Sequence, residues 1–246
     1  MAAQEIPLVG QPKLLNRVEV AEGTMAFHFE KPNGFEFRAG QAVDIILVDP
    51  PETDSEGNIR TFSLVSPPFE DRLTVTTRMR DSAFKRVLKT MPLGTTVKIA
   101  EPSGSLTLHK NPSKPAVFLA GGIGITPFLS ILRQAAQDKL PHQLYLFYSN
   151  WRPEDAPFLE TLNELQTTNP NFRFVPTMTE MEKSQSGWAG ETGYIDSKML
   201  MKHIPNLNGP IYYIAGPPAM VAAMRQMLIT AGVGEDDIRI EEFSGY

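Results

Sequence analysis

The sequence predicts two units in one chain, an antiparallel six-stranded β-barrel followed by an α/β unit with a doubly wound parallel sheet. Three observations support this prediction. Short apolar segments separated by turns fill the first part, strand-like and helix-like segments alternate in the second, and a stretch punctuated by proline and glycine at 101–114 separates them. A chain of 246 residues is long enough for both units. We therefore expect the first unit at 1–111 and the second at 112–246.

Six apolar-rich segments in the first unit have the spacing of an antiparallel barrel. An acidic stretch with prolines at 49–58 predicts a loop between two of them. A short helix at 82–90 interrupts the series, because Ser82 is a suitable N-cap and Pro92 and Gly94 follow its end. The six strands are predicted at 14–20, 24–30, 41–48, 61–65, 73–78 and 96–100.

Strand-like and helix-like segments alternate in the second unit, which predicts a parallel sheet covered by helices on both faces. A cleft between this sheet and the barrel is the expected place for a ligand. The strands are predicted at 116–120, 143–148, 172–177, 211–215 and 238–243, and the helices at 126–138, 153–166, 196–203 and 218–231.

The composition excludes several classes of function. Lys and Arg number 23 against 28 Asp and Glu, so the formal net charge of -5 makes the chain a poor candidate for binding nucleic acid. Cysteine is absent, which excludes disulfides, thiolate nucleophiles and cysteine-ligated zinc or iron–sulfur clusters. The four histidines lack the spacing of metal ligands, so no metal site is predicted.

An uncharged run between Lys114 and Arg133 is nearly long enough to cross a bilayer. Glycines and a proline interrupt its middle, which favours a strand, a turn and a helix instead. Residues 1–13 also lack the charged-then-apolar pattern of a secretion signal. We therefore expect a protein without a membrane segment, located in the cytoplasm.

A glycine-rich motif at 120–127 follows an apolar strand and opens a helix. Its glycines allow the backbone to approach a phosphate closely, and the free N–H groups at a helix start attract an anion. Pro127 suits the first turn of a helix. The motif therefore favours a nucleotide phosphate site, with a tight structural turn as the alternative.

Three further segments are ordinary when taken singly. Residues 60–63 read as a strand with one charge, residues 215–220 as a strand end that turns into a helix, and residues 238–246 as an edge strand that ends in aromatic side chains. The turn at 215–220 follows a parallel strand, on the side where such sheets bind ligands.

In this order, the four segments resemble the ferredoxin–NADP⁺ reductase superfamily of single-chain FAD and NAD(P)H oxidoreductases. The pattern Arg-x-Tyr-Ser is similar to 60–63, with Phe62 in place of Tyr. Gly-Gly-x-Gly-x-Thr-Pro matches 121–127 in full, and Cys-Gly-Pro-x-x-Met matches 215–220 with Ala215 in place of Cys. Glu-Phe-x-Gly matches 242–245 and is similar to the end of flavohaemoglobin reductase domains.

The resemblance implies an FAD site in the barrel. Arg60 would pair with the FAD pyrophosphate, a task that suits its permanent, bidentate charge. Phe62 would pack on the flavin ring and Ser63 would lie beside flavin N5, where hydride arrives. The residues implied around FAD are Arg60, Thr61, Phe62, Ser63, Thr77, Arg78, Ser82 and Thr126.

The resemblance also implies an NAD(P)H site beside the flavin. Either Phe243 or Tyr246 would stack on the ring and be displaced by nicotinamide, and either Glu241 or Glu242 would be its acidic neighbour. With Ser63, these form the implied catalytic group. The residues implied around the nicotinamide cofactor are Gly121, Gly122, Gly124, Pro127, Ser149, Arg152, Ala215, Gly216, Pro217 and Met220.

The sequence differs from the family pattern at two places that affect this activity. Because Ala215 replaces a thiol that packs near the transferring carbon, we expect hydride transfer to persist at a lower rate. The second parallel strand ends in Ser149-Asn150-Trp151-Arg152 and not in the acidic residue of many NAD sites. Arg152 would meet a 2′-phosphate, which favours NADPH over NADH.

The resemblance implies an FAD-dependent NAD(P)H oxidoreductase that passes electrons to an external acceptor, either an electron-carrier protein or a small molecule. Five cations within 78–89 would steer an acidic carrier such as ferredoxin or flavodoxin, or would form a solvated helix face. The alternatives are a reductase component of an oxygenase, a ferric or free-flavin reductase, a non-catalytic flavin-binding subunit, and a Rossmann dehydrogenase for a small substrate. The five cations are Arg78, Arg80, Lys85, Arg86 and Lys89.

Overall fold

A computed structural model describes residues 7–243 and confirms the predicted combination of antiparallel and parallel sheets. All six predicted barrel strands are present, and so is the predicted helix, which Ser82 caps by accepting a hydrogen bond from the Lys85 N–H. The elements of the first part are β1 (Leu8–Gly10), β2 (Leu14–Ala21), β3 (Thr24–Glu30), β4 (Ala42–Leu47), β5 (Ile59–Ser63), β6 (Arg72–Arg78), α1 (Ala83–Thr90) and β7 (Val97–Ala100).

Two antiparallel sheets form the barrel. One has the order β1-β7-β4-β5 and the other β2-β3-β6. Backbone bridges between Leu64 and Val75 and between Lys13 and Thr96 join the sheets at their edges. The interior is filled by large buried side chains such as Phe27, which hold the sheets together by removing apolar surface from water.

A six-stranded parallel sheet forms the second part, in the order β11-β10-β9-β8-β12-β13. From central β8 the chain winds outward to β11 and then returns to β12 on the other side of β8. The carboxyl ends of β8 and β12 therefore border the crevice where doubly wound sheets bind ligands. The elements are β8 (Ala116–Gly121), α2 (Ile125–Gln137), β9 (Leu144–Asn150), α3 (Leu159–Thr168), β10 (Phe172–Met178), β11 (Glu191–Thr192), α4 (Ser197–His203), β12 (Ile211–Gly216), α5 (Pro218–Thr230) and β13 (Ile238–Glu242).

Apolar clusters cover both faces of this sheet, as the strand–helix alternation predicted. Phe118 of β8 packs in a cluster with Phe128 of α2 on one face. Its neighbour Val117 packs in a second cluster with Leu200 of α4 and Leu228 of α5 on the other. Successive side chains of a strand point to opposite faces, so the continuous apolar run of β8 serves both clusters.

The predicted helix at 153–166 is shorter than expected. A 3-10 turn at Pro153–Asp155 comes first, and α3 begins only at Leu159. Pro157 disfavours helical backbone at the residue before it, and Ala156 is extended. Phe158 then takes a left-handed conformation with φ 66°, which separates the turn from the helix.

The linker already contacts the parallel sheet before residue 112. The His109 N–H donates to the Tyr213 hydroxyl at 2.9 Å, and Arg239 donates to the carbonyl of Thr107 at 2.9 Å. The boundary between 111 and 112 stays a prediction. Within residues 7–243, no helix combines the length and the apolar character needed to cross a membrane.

Candidate functional site

Two adjoining cavities lie at the seam between the barrel and the parallel sheet. The first, called here the barrel cavity, has a volume of about 530 Å³. The second, the sheet cavity, has about 400 Å³ and lies at the carboxyl ends of β8, β9 and β12. Arg78 lines both, so the cavities share a wall.

Most of the predicted FAD-site residues line the barrel cavity. The exception is Ser82, which caps α1 and is buried. Phe243 closes the cavity from the α/β side, whereas Tyr246 lies outside the described residues. The lining consists of Glu56, Ile59, Arg60, Thr61, Phe62, Ser63, Thr76, Thr77, Arg78, Arg80, Lys85, Ile123, Thr126 and Phe243.

The barrel cavity has the chemistry of an anion site with an apolar side. Four cationic side chains line it, and the buried hydroxyl of Thr76 and Nε of Arg78 have no hydrogen-bond partner in the described part of the chain. Buried polar atoms are normally paired, so these two atoms are available to pair with a polar ligand. Phe62 lies on the apolar side, with its ring 5.9 Å from that of Phe84.

Lys85 is a buried member of this cavity. Its side chain is 7% exposed, and Nζ donates to the carbonyl of Arg78 at 2.6 Å. Burial, together with the charges of Arg80 and Arg60, lowers the pKa of Lys85 to about 8. Lys85 is therefore not available to a protein docking on the surface.

The predicted cationic patch at 78–89 is compensated by acidic side chains. Glu56 pairs with Arg80 at 2.7 Å, and Glu52 pairs with Arg86 at 2.7 Å. Asp81 also bonds Arg86. The structure therefore supports the solvated and locally paired alternative for this segment more than a positive docking surface.

Ser63 and Glu241 meet across the seam. Ser63 is buried at the end of β5, and its hydroxyl donates to Oε1 of Glu241 at 3.0 Å. Burial raises the pKa of Glu241, against the opposing effect of the Ser63 hydrogen bond. The neighbouring Glu242 is exposed, because successive side chains of β13 point to opposite sides.

The sheet cavity contains half of the predicted nicotinamide-site residues. Gly121, Gly122, Ser149, Pro217 and Met220 line it. The sequence did not single out its apolar and aromatic walls. The full lining is Arg78, Gly121, Gly122, Ser149, Asn150, Trp151, Thr179, Tyr194, Ile195, Pro217, Ala219, Met220, Ala223 and Met224.

Gly124, Pro127, Ala215 and Gly216, which were also predicted for this group, are not part of the cavity lining. A Cβ atom on Gly124 would lie 2.1 Å from the carbonyl oxygen of Ala215, so this glycine permits the close approach of two chain segments. Gly216 passes within contact distance of Gly121, and Ala215 is fully buried. Pro127 is buried in the first turns of α2. Their role in the structure is to shape the turns that border the cavity.

Arg152 points away from the sheet cavity. Its guanidinium donates to both carboxylate oxygens of Asp155, at 2.8 and 2.9 Å, and to Glu22 of the barrel at 2.9 Å. These partners hold the pKa of Arg152 above its usual range, Asp155 having the largest effect. Arg152 therefore connects the barrel to the α/β unit and is not among the residues that line the sheet cavity, and its contact with a nucleotide stays a prediction.

Asn150 is a site residue that the sequence interpretation missed. It lies at the end of β9, is 6% exposed, and lines the sheet cavity with neither side-chain polar atom paired within the described residues. Buried amides are normally hydrogen-bonded, so the side chain of Asn150 is available to a polar ligand in this cavity. Asn150 could have been predicted from its position at the carboxyl end of the second parallel strand, because ligands bind at that end of such sheets.

A family model and several relatives match this chain. Residues 118–226 match the family described as "Oxidoreductase NAD-binding domain". The chain is 27% identical to the flavohemoprotein of a Burkholderia species (strain TH2) over 232 residues, 92% of this chain and 57% of that protein. It is 27% identical to the propane 2-monooxygenase reductase component of Rhodococcus jostii over 229 residues, 87% of this chain and 57% of that one. The chain thus spans less than two thirds of these relatives.

Solved structures show the same fold. A ferredoxin NADP+ reductase from Neisseria gonorrhoeae has a TM-score of 0.79 at 24% identity, covering 97% of this chain and 99% of that one. The Amycolatopsis cytochrome P450 reductase has a TM-score of 0.81 at 22% identity, covering 97% of this chain and 71% of that one.

Barrel, parallel sheet and paired cavities define a two-part protein with an oxidoreductase-type NAD-binding unit. The chain has the fold of the ferredoxin NADP+ reductase structure, and its residues 118–226 match an oxidoreductase NAD-binding family, which agrees with the resemblance carried by its four motifs.

Proposed function

We propose that this protein is an FAD-dependent NAD(P)H oxidoreductase that delivers electrons to an external acceptor. The observation that carries the proposal is the meeting of two cavities at one seam, with Arg78 in both walls and the Ser63–Glu241 pair joining the two parts. Neither cavity alone brings two nucleotides together.

FAD fits the barrel cavity on the chemistry of its walls. Arg60, Arg78, Arg80 and Lys85 offer positive charge to a diphosphate, and the unpaired Thr76 hydroxyl offers a hydrogen bond. Phe62 offers an apolar surface to the flavin ring. Phe243 also lines the cavity, and of the two aromatic residues that the resemblance offered, Phe243 and Tyr246, we assign Phe243 the stacking position.

The nicotinamide cofactor fits the sheet cavity. Gly121 and Gly122 border it without side chains, so a pyrophosphate can come close to the backbone at this end of β8. Trp151 and Tyr194 supply aromatic surface for a base, and Ser149 and Asn150 supply polar groups for a ribose. Arg78, with its guanidinium 4.9 Å from the Trp151 ring, would orient both ligands.

FAD held by these residues would supply an acceptor for the hydride of a nicotinamide and could release the two electrons one at a time. The chain itself positions the reacting groups. The Ser63 hydroxyl donates a hydrogen bond to the Glu241 carboxylate. Burial raises the pKa of Glu241, so this carboxyl is protonated more readily than an exposed one. We assign these two residues the role of fixing a proton at the seam, and Glu242, which is exposed, no part in it.

The preferred nicotinamide follows from charge. The sequence favoured NADPH through Arg152, yet this guanidinium is engaged by Asp155 and Glu22. Arg78 is the one cation among the described residues of the sheet cavity, and it is shared with the barrel cavity. We therefore propose that NADH is used at least as well as NADPH.

The acceptor in this proposal lies outside these 246 residues, which contain no cysteine to ligate an iron–sulfur cluster. Relatives that are reductase components of oxygenases favour an electron-carrier protein or an oxygenase component. Small ferric or free-flavin acceptors are the second candidate.

The test is a panel of acceptors offered to the FAD-loaded protein with NADH and with NADPH: ferricyanide, a ferredoxin, a flavodoxin, a ferric chelate and free FMN. Turnover with at least one acceptor is expected. A flavin-loaded protein that reduces none of them, ferricyanide included, would instead support a non-catalytic flavin-binding subunit.

A further inference from the structure

The loop between β4 and β5 contains a cluster of carboxylates beside the barrel cavity. We call residues 52–56 the acidic loop; it carries Glu52, Asp54 and Glu56. A single oxygen of Glu56, Oε2, lies 2.7 Å from Nη2 of Arg60 and 2.7 Å from Nη2 of Arg80. Both arginines line the barrel cavity, and so does Glu56 itself. One carboxylate therefore bridges two of the four cations in that cavity.

Nη1 of Arg60 is also engaged within the loop region. Its Nη1 donates to the carbonyls of Glu56, Gly57 and Ile59 at 2.8, 3.3 and 2.7 Å. Asp54 adds a second carboxylate, 3.8 Å from Nη2. The guanidinium that is expected to bind a phosphate is thus held by its own chain segment.

A second group that could bind an anion, the start of helix α1, also has a carboxylate partner from the acidic loop. Oδ2 of Asp54 accepts a hydrogen bond from the Ala83 N–H at 2.7 Å, at the start of α1. The first N–H groups of a helix favour an anion, because they lack partners within the helix. Oδ1 of Asp54 accepts from the Glu56 N–H at 2.9 Å, so the two acidic residues are tied together.

Carboxylates and phosphates compete for the same donors, since both accept paired hydrogen bonds from guanidinium groups. A diphosphate that enters the barrel cavity must displace Glu56 from Arg60 and Arg80 or tolerate a like charge beside it. Displacing Glu56 and tolerating its charge both weaken the binding of the phosphate groups. Neither changes the binding of the flavin ring.

We propose that the acidic loop is an internal competitor for the phosphate groups of the flavin nucleotide, with Glu56 as its main element. This inference rests on the proposed function, because it takes the barrel cavity as the flavin site. The loop selectively weakens the binding of FAD relative to riboflavin, which has no phosphate. FAD is then an exchangeable ligand of this chain, and its occupancy depends on the FAD concentration.

The test is titration of the intact chain with FAD and with riboflavin, followed by flavin fluorescence at neutral pH and low ionic strength. The variant Glu56→Gln removes the bridging charge, and Asp54→Asn is a second variant at the helix start. Glu52→Gln is the matched control, because Glu52 belongs to the same loop but pairs with Arg86, outside the cavity lining. Thermal unfolding of each variant verifies that it is folded.

We expect Glu56→Gln to bind FAD about three- to tenfold more tightly than the wild type, as two arginines lose an exposed competing partner. Asp54→Asn should change FAD affinity in the same direction, whereas Glu52→Gln should match the wild type. Riboflavin affinity should be equal in all four proteins.

Two results would overturn the inference, and they are distinguishable. If Glu56→Gln binds FAD no more tightly than the wild type while riboflavin affinity is unchanged, the loop does not compete and the flavin function stands. If none of the folded proteins binds FAD or riboflavin, the proposed function fails and the inference with it.

Discussion

The hydroxyl of Ser63 donates a 3.0 Å hydrogen bond to Oε1 of Glu241, two residues 178 positions apart in the chain. One comes from the last position of a barrel strand and the other from the edge strand of the parallel sheet. Ser63 lines the barrel cavity, so this bond joins the two parts of the molecule beside that cavity.

Ser63→Ala and Glu241→Gln should each slow reduction of the bound flavin by NADH roughly ten- to a hundredfold, because the first removes the hydroxyl donor and the second removes the ionisable carboxyl at the seam. Stopped-flow spectroscopy under anaerobic conditions measures this rate. Glu242→Gln is the control, since Glu242 is the exposed neighbour of Glu241. Equal rates for the Glu241 and Glu242 variants would remove Glu241 from the proposed role.

The glycine motif provides a test of which glycines are structural. A Cβ on Gly124 would meet the Ala215 carbonyl at 2.1 Å, whereas one on Gly121 would meet the flexible Met220 side chain at 2.2 Å. Gly124→Ala should therefore lower the free energy of unfolding by about 2–4 kcal/mol and Gly121→Ala by about 1 kcal/mol. Urea unfolding measures both. Similar losses would show that the turn at Gly124 and the end of β12 can separate to accept a methyl group.

FAD affinity should depend on the protonation of Lys85. Its pKa is lowered to about 8, so the ammonium is charged and attracts a diphosphate below that pH and becomes neutral above it. The FAD dissociation constant should therefore rise severalfold between roughly pH 7 and pH 9.5, and less so in Lys85→Gln. Riboflavin is the control ligand. An FAD affinity that falls equally in the wild type and in Lys85→Gln would assign the pH dependence to another group.

Arg152→Met should act on stability and not on nicotinamide selectivity. The substitution leaves the buried carboxylate of Asp155 without its bidentate partner and removes the tie to Glu22. We expect a lower midpoint of thermal unfolding and an unchanged ratio of kcat/KM for NADH and NADPH. Loss of NADPH activity alone, with the thermal midpoint preserved, would restore Arg152 as a 2′-phosphate ligand.

The sequence predicted most of the fold because its signals are local. Strands such as β8 and β3 are long enough to show a buried run or an alternation, and turn residues mark their ends. The strands β1 and β11 have three and two residues, too few for any periodicity to be read. The helix begins at Leu159 and not at Pro153, because Pro157 disfavours helical backbone at Ala156.

The candidate site was less predictable, because its decisive contacts join distant parts of the chain. Arg152 has the right charge for a phosphate, but its partner Glu22 lies 130 positions away. The choice between Glu241 and Glu242 depends on the face that β13 turns toward the seam, and that face is set by its pairing with β12. Asn150 is uncharged and belongs to no motif, so the sequence does not mark it as a ligand-binding residue.

The most direct test of the central claim is an anaerobic titration of the FAD-loaded protein with NADH, followed by flavin absorbance. We predict that the oxidised flavin band is lost as about one equivalent of NADH is added, because two electrons fill one flavin. A protein that takes up no FAD, or a bound flavin that neither NADH nor NADPH reduces, would contradict the account.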